Sequence, residues 1–318
     1  MLRIATRRSA LARAQATQVG LSLGVPFELV PMATTGDLHP DRAIEAFDTK
    51  GMFVDAIRVA VADGSCELAV HSAKDLPGDA VPGLTIGAYP RREDPRDVLI
   101  TAEGHLLRSL PSVATVGTSS GRRRLQLLRV RPDLQVLAVR GNVDTRLRKV
   151  VDGELVAVVV ALAGLRRLYT DPSEGGVGPL GLPLKAVTLE PGECLPAPAQ
   201  GALAVECRAD DADTLAVLAN VDDPGTRVAV RTERTFQRAL GGGCLTPIGA
   251  LATVHGNGLE LAGMLADPVR RRVLRQTATG TTSAPEAVAR ALADRIRELG
   301  GEEMLRNIDT QVRAGHGR

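Results

Sequence analysis

The first third of the chain alternates short apolar runs with amphipathic stretches. Residues 2–6 read as a strand, and Ser9 stands where it can cap a helix running through Leu11 and Ala14. Residues 27–33 read as a second strand. Residues 52–63 put Phe53, Ala56, Ile57, Ala60 and Val61 on one helical face. A strand over 67–70 then runs straight into His71-Ser72-Ala73-Lys74-Asp75-Leu76-Pro77.

The charged stretch Glu93-Asp94-Pro95-Arg96-Asp97 breaks this pattern and marks a first boundary. A second alternating block follows: strand 113–117, helix 122–130, strand 135–139, helix 143–151 and strand 155–161. The unbroken valine run in the last strand predicts burial on both faces. The block as a whole predicts an α/β fold with a mainly parallel sheet covered by helices. Residues 171–184, rich in Gly and Pro, read as a surface loop, and another break falls near 191–198. Beyond 222 a helix over 226–240 stops at Gly241-Gly242-Gly243. Strands over 248–254, 259–265 and 273–279 and helices over 284–299 and 302–313 predict a smaller α+β domain. There is no internal repeat.

The chain has 318 residues, which suits two or three domains of about 100–200 residues each. A hydrophobic fraction of 44% and a charged fraction of 24% are ordinary for a globular protein. No apolar run approaches the roughly 18 residues that span a membrane. Charge in the first eight residues argues against a signal peptide, so a cytoplasmic location is expected. Cys66, Cys194, Cys207 and Cys244 form no C-x-x-C pair, and neither a metal site nor a disulfide framework is expected.

Charge changes this picture more than composition does. The net charge is only +2, yet 35 of the 39 basic residues are arginine. Codon bias of a GC-rich genome would account for such an excess but not for its clustering. Guanidinium offers carboxylates a planar, bidentate fork. Between Gly117 and Lys149 stand eight arginines and one lysine, against Asp133 and Asp144. Gly117-Thr118-Ser119-Ser120-Gly121-Arg122-Arg123-Arg124 reads as strand, hydroxyl-rich turn and helix start. Arg140-Gly141-Asn142-Val143-Asp144-Thr145-Arg146 repeats the theme. Helix N-termini present free N–H groups and a positive dipole end. Two such turns at one edge of a parallel sheet predict an anion site.

The motif is not a phosphate P-loop, because G-x-x-x-x-G-K-[ST] is absent. Aromatic residues make up 2% of the chain, so base stacking is poorly served and nucleic acid is not an expected partner. Asp75 suits an ordinary turn in Asp-Leu-Pro-Gly. It also suits a carboxylate that stabilises developing positive charge at the same cleft. His71 reads as structural. Cys244, in Gly241-Gly242-Gly243-Cys244-Leu245-Thr246-Pro247, is either a buried small hydrophobe or an accessible thiol on a bare loop.

The stretches 4–9, 71–77, 92–97, 116–124, 140–146, 195–208 and 242–249 together resemble the porphobilinogen deaminase (hydroxymethylbilane synthase) family, in order and spacing over nearly the whole chain. The resemblance implies a transferase of tetrapyrrole and haem biosynthesis. Such an enzyme joins four porphobilinogen molecules head to tail, loses ammonia and releases hydroxymethylbilane. It implies a covalent dipyrromethane cofactor held by a thioether, for which Cys244 matches the attachment position. Asp75 matches the catalytic carboxylate. Arg7, Ser9, Lys74, Thr118, Ser119, Ser120, Arg122, Arg123, Arg140, Arg146, Arg167 and Gln200 match cofactor- or substrate-binding positions. The implied fold has two lobes like type II periplasmic binding proteins and a smaller C-terminal domain. The implied divisions are 1–92, 93–200, a return segment 201–219, and 220–318. The pattern of apolar positions does not itself show that return.

Two positions depart from the family's usual pattern. Ala199 stands where Gly is usual, and Phe47-Asp48-Thr49-Lys50 replaces a loop richer in Gly and Lys, which puts a lid role for Lys50 in question. The resemblance also implies a monomer. Two other classes compete: a two-lobed anion-binding module without catalysis, and a phosphate-backbone nucleic-acid binder built on residues 122–149.

Overall fold

The computed structural model describes residues 1–33, 55–77, 81–169, 181–241 and 246–315. They fall into two compact units. One takes in the described residues up to Glu93 together with Gly201–Val230; the other takes in Asp94–Gln200 and Arg231–Ala314.

The first unit is built on a five-stranded sheet of order β2-β1-β3-β10-β4. Its strands are β1 (Leu2–Arg7), β2 (Phe27–Met32), β3 (Leu68–Ser72), β4 (Leu84–Ala88) and β10 (Leu203–Arg208). β1 runs parallel to β2 and β3, whereas β10 runs antiparallel to β3 and β4. Four strands therefore point one way and β10 alone points back. Helix α1 (Ala10–Ser22) and helix α6 (Ala212–Ala219) supply Ala16, Val19 and Leu218 to the core on one face, against Ile4, Leu68 and Val205. Helix α2 (Asp55–Ala62) covers the other face with Ile57, Ala60 and Val61 against Ala5 and Ala69.

The second unit repeats this plan with order β7-β6-β8-β5-β9. Its strands are β5 (Asp97–Thr101), β6 (Thr115–Gly117), β7 (Gln135–Leu137), β8 (Ala157–Ala161) and β9 (Lys185–Thr188). β6 runs parallel to β7 and β8, and β5 runs antiparallel to β8 and β9. Helix α3 (Gly121–Val130) packs Leu127 on one face, with Leu99, Val116 and Val159. Helices α4 (Val143–Val151) and α5 (Leu162–Leu168) pack Leu147, Val150 and Leu165 on the other, with Ile100, Val158 and Val160.

The same unit holds a meander of β11 (Ile248–His255), β12 (Gly258–Asp267) and β13 (Arg272–Thr281), antiparallel throughout. Helix α8 (Pro285–Ile296) and helix α9 (Glu302–Gly315) follow it, and helix α7 (Pro224–Ala239) precedes it and enters this unit at Arg231. Gly263 lies directly beneath Phe236 of α7 and Leu292 of α8; an added Cβ would stand 2.5 Å from the Phe236 ring. Leu125 and Leu195 join Met264 and Ala266 in one cluster, so α3 touches both sheets.

The expected α/β class with mainly parallel mixed sheets and a smaller α+β part is what the chain forms. Several elements correct the linear reading. Residues 93–97 are not simply a break, because Asp97 opens β5 and is fully buried. β3 continues through His71 and Ser72. β4, β9, β10, α5 and α6 went unread. In β10 the cause is plain: Glu206 and Arg208 interrupt an apolar run that is nonetheless buried from Leu203 to Cys207.

Candidate anion-binding site

Two strand-turn-helix junctions meet in the second unit. β6 ends at Gly117, where an added Cβ would stand 2.6 Å from Leu155 and 2.7 Å from Val139. That close approach brings the next three residues against the turn after β7. The Thr118 N–H donates to the Leu137 carbonyl at 2.8 Å. The Ser119 hydroxyl donates to the Val139 carbonyl at 2.5 Å. Ser120 caps α3, its hydroxyl accepting from the Arg123 N–H at 3.4 Å, and Thr118 Oγ1 accepts from the Ser120 N–H at 3.2 Å. The convergence expected of the two basic turns is therefore real. These hydroxyls also hold the turn itself, a role the linear reading did not assign them.

The second junction opens α4. Asn142 caps it, accepting from the Thr145 N–H at 3.0 Å. Gly141 has φ +97°, a left-handed conformation that favours glycine. Arg146 Nε donates to the Gly141 carbonyl at 2.9 Å. Arg140 is exposed, and Arg167 is half-buried on α5.

Arg122 and Arg123 are both buried, which a basic solvated face would not require. Arg122 Nη1 donates to Asp97 Oδ2 at 2.8 Å and to the Leu195 carbonyl at 2.6 Å. Arg123 Nη2 donates to Asp97 Oδ1 at 2.7 Å, and its Nη1 donates to the Val159 carbonyl at 3.0 Å. The buried Arg123 Nε has no hydrogen-bond partner. Gln200 Nε2 donates to Asp97 Oδ1 and to the Pro95 carbonyl, both at 2.7 Å. Burial is the largest single influence on Asp97 and would raise its pKa. The charges and hydrogen bonds of Arg122 and Arg123 outweigh it and hold the carboxyl far below its usual range. Burial pushes the neighbouring Cys194 thiol up to about 12, so it stays neutral. Burial also lowers the pKa of Arg146, and the charge of Arg123 lowers it further. Two cations thus repel one another beside the turns.

Gln200 follows a strained residue. Ala199 has φ +61°. Its N–H donates to Glu233 Oε2 at 2.6 Å, while Glu233 Oε1 accepts from the Ala252 N–H at 2.8 Å. Glu233 is fully buried and ties α7, β11 and this turn together.

The first unit carries the other predicted positions. Arg7 ends β1, and Ser9 caps α1 by accepting from the Ala12 N–H at 3.3 Å. Lys74 and Asp75 lie in a single 3-10 turn, Ala73–Asp75, directly after β3, and Asp75 is exposed. Glu206 of β10, opposite Ala69 of β3, is 3% exposed. It accepts from Arg58 Nε at 3.1 and 3.0 Å and lies 3.2 Å from His71 Nε2. Burial raises the Glu206 pKa, and the His71 and Arg58 contacts override it to leave a net lowering. Lys50 and Cys244 lie outside the described residues.

Linear reading missed Asp97, Glu206 and Glu233. Each is a carboxylate within a charged or mixed stretch, where exposure is the ordinary expectation. One signal was available for Asp97: it directly precedes the apolar run Val98-Leu99-Ile100. Among the described residues no group of three or more His, Cys, Asp or Glu could hold a metal ion, and no helix is long and apolar enough to cross a membrane.

Comparison with known proteins gives the family. Residues 2–216 match the family model "Porphobilinogen deaminase, dipyromethane cofactor binding domain", and residues 228–298 match "Porphobilinogen deaminase, C-terminal domain". The chain is 42% identical to the porphobilinogen deaminase of Acidothermus cellulolyticus over 96% of this chain and 91% of that one. It is 44% identical to that of Moorella thermoacetica over 98% and 97%. Among solved structures, an ancestral arginine-binding protein bound to glutamine aligns at 15% identity over 69% of this chain and 89% of that one, with a TM-score of 0.34, too slight a likeness to carry an argument. The surplus guanidinium charge of Arg123 and Arg146 suits the carboxylate side chains of a dipyrromethane. This chain belongs to the porphobilinogen deaminase family.

Proposed function

We propose that the chain condenses four porphobilinogen molecules head to tail, with loss of four ammonia molecules, and releases linear hydroxymethylbilane by adding one water molecule to its methylene end. Family membership across both matched regions carries this reading. The geometry supports it through one observation: Arg123 and Arg146 bring two buried or half-buried cations to the converging turns. Each porphobilinogen carries an acetate and a propionate, and bidentate guanidinium is the natural partner for both.

The dipyrromethane, bound as a thioether to Cys244, supplies a tethered nucleophilic pyrrole end. Holding one reactant this way replaces an encounter by positioning, an effect worth of order 7–11 kcal/mol in ideal cases. Arg123 and Arg146 bind carboxylate side chains. Arg7, Ser9, Lys74, Thr118, Ser119, Ser120, Arg122, Arg140, Arg167 and Gln200 complete the binding set. Asp75 is the catalytic carboxylate. Loss of ammonia from a porphobilinogen leaves positive charge on its pyrrole system, and a fixed carboxylate stabilises that charge while accepting the pyrrole N–H. The domains are 1–92 with 201–219, 93–200, and 220–318. The enzyme works as a cytoplasmic monomer with no nucleic-acid partner.

Turnover tests the reading. Incubation with porphobilinogen is expected to release one ammonia per substrate consumed and one hydroxymethylbilane per four. Asp75→Asn is expected to fold normally and to lose turnover by about a hundredfold or more, in line with removal of a group acting on developing charge. A purified chain that binds porphobilinogen without releasing ammonia would favour the non-catalytic binding module instead.

A further inference from the structure

We propose that Asp97 is a positioning residue of the anion site: one buried carboxylate sets Arg123 and Gln200 in place together, with Arg122 as its counterion. The proposal rests on the reading that this site binds the carboxylate side chains of porphobilinogen-derived rings.

The two oxygens of Asp97 divide their work. Oδ2 takes Arg122 Nη1 at 2.8 Å. Oδ1 takes both Arg123 Nη2 and Gln200 Nε2, each at 2.7 Å. A single oxygen therefore orients two side chains that arrive from distant parts of the chain. Arg123 is gripped at both terminal nitrogens, since Nη1 holds the Val159 carbonyl at 3.0 Å. Its Nε is left as the donor without a protein partner. Both terminal nitrogens are thus held, and the buried Nε is the one donor of this guanidinium left unmatched.

Charge supports the same conclusion. Asp97 carries one negative charge against the two positive charges of Arg122 and Arg123, and the Cys194 thiol, 3.4 Å from Oδ2, stays neutral. The cluster keeps a surplus positive charge at the N-terminal end of α3, where the helix dipole already disfavours cations. Burying such a cluster for stability alone is poor design, because apolar residues of similar volume do as well or better. A surplus beside a second cation, Arg146, suits a site completed by a ligand carboxylate.

A double-mutant cycle on the full-length enzyme tests this. Asp97→Asn keeps the shape and one acceptor oxygen but removes the charge. Its KM for porphobilinogen is expected to rise about tenfold or more, with kcat less affected, as for loss of a charge-assisted contact made in the bound state. The fraction of molecules carrying the cofactor mass is expected to fall as well, a readout independent of turnover. Arg123→Lys is expected to raise KM comparably. Because Asp97 acts through Arg123, the double variant should resemble the single ones, whereas independent roles would multiply. A wild-type KM in Asp97→Asn, or multiplied effects in the double variant, would overturn the proposal. Should Asp97→Asn fail to fold, Asp97→Glu retains the charge and displaces the carboxylate by one methylene. Its KM is expected to rise in the same coupled way, and a wild-type KM there would overturn the proposal equally. Absence of turnover in the wild-type chain would sink the underlying reading instead, so the two failures are distinguishable.

Discussion

The two five-stranded sheets share a strand plan and differ in how they treat one buried carboxylate. Each has a single reversed strand, β10 in one and β5 in the other. Each reversed strand carries a buried acid, Glu206 and Asp97 respectively. Glu206 sits within its strand, opposite Ala69 of β3, and meets Arg58 from α2 and His71 from β3. Asp97 opens its strand, opposite Ala161 at the end of β8, and meets two arginines from the first turn of α3. The position along the strand decides the use. A carboxylate in mid-strand can tie a helix to a sheet. One at the strand's end, beside the junctions that follow the parallel strands, can orient groups that touch a ligand.

The largest expected effect comes from breaking either cluster outright. Asp97→Ala leaves two guanidinium groups buried without their carboxylate, and about 3–5 kcal/mol of stability should be lost in urea unfolding. Glu206→Gln is milder, since the amide keeps one acceptor; a loss of about 1–3 kcal/mol is expected. The sharper contrast lies in kinetics. Glu206→Gln should leave KM for porphobilinogen unchanged in the folded protein, while Asp97→Asn should raise it. Equal KM effects from the two would erase the distinction between the sheets.

Acid titration separates them by the same logic. The folded-state pKa of Asp97 lies far below its unfolded value of about 3.9. Its stabilisation is therefore fully present above about pH 4 and is lost as pH falls from there towards the folded value. Wild-type stability should drop steeply in that window, and the gap between wild type and Asp97→Asn should narrow with it. A gap that stays constant down to about pH 2 would contradict the assigned pairing.

Packing at the junction gives a further test. Gly117→Ala would put a methyl group within 2.7 Å of Val139, whose carbonyl receives the Ser119 hydroxyl. A loss of about 1–3 kcal/mol is expected from overpacking, with a weakened anion site. The smallest effect should come from Ala199→Gly. A left-handed alanine costs roughly 1–2 kcal/mol, and the extra freedom of an unfolded glycine returns about 0.5–1. A rise in the thermal midpoint of about 1 °C is expected, with the Gln200 contacts unchanged.

Local pattern made much of this fold legible. The valine run of 158–160 and the cap at Ser9 are signals that tertiary packing only confirms. The helix predicted over 143–151 forms with those bounds. What pattern could not show is pairing at long range. β10 joins the first sheet more than 130 residues after β3, and nothing in Leu203–Arg208 names its neighbours. The site divides similarly. The hydroxyl-rich turn and its arginines were visible because adjacent residues build them. Asp97 was hidden because its partners stand 25, 26 and 103 residues away, and a charged residue after Pro95 and Arg96 reads as solvent-facing until those partners are seen.

The central claim, a deaminase that carries its own tethered primer, meets its most direct test in intact mass. Purified wild-type protein should exceed its sequence mass by one dipyrromethane and give the dipyrromethane colour with Ehrlich's reagent, and Cys244→Ser should show neither. An unmodified wild-type mass in protein that still turns over porphobilinogen, or an adduct that survives Cys244→Ser, would contradict it.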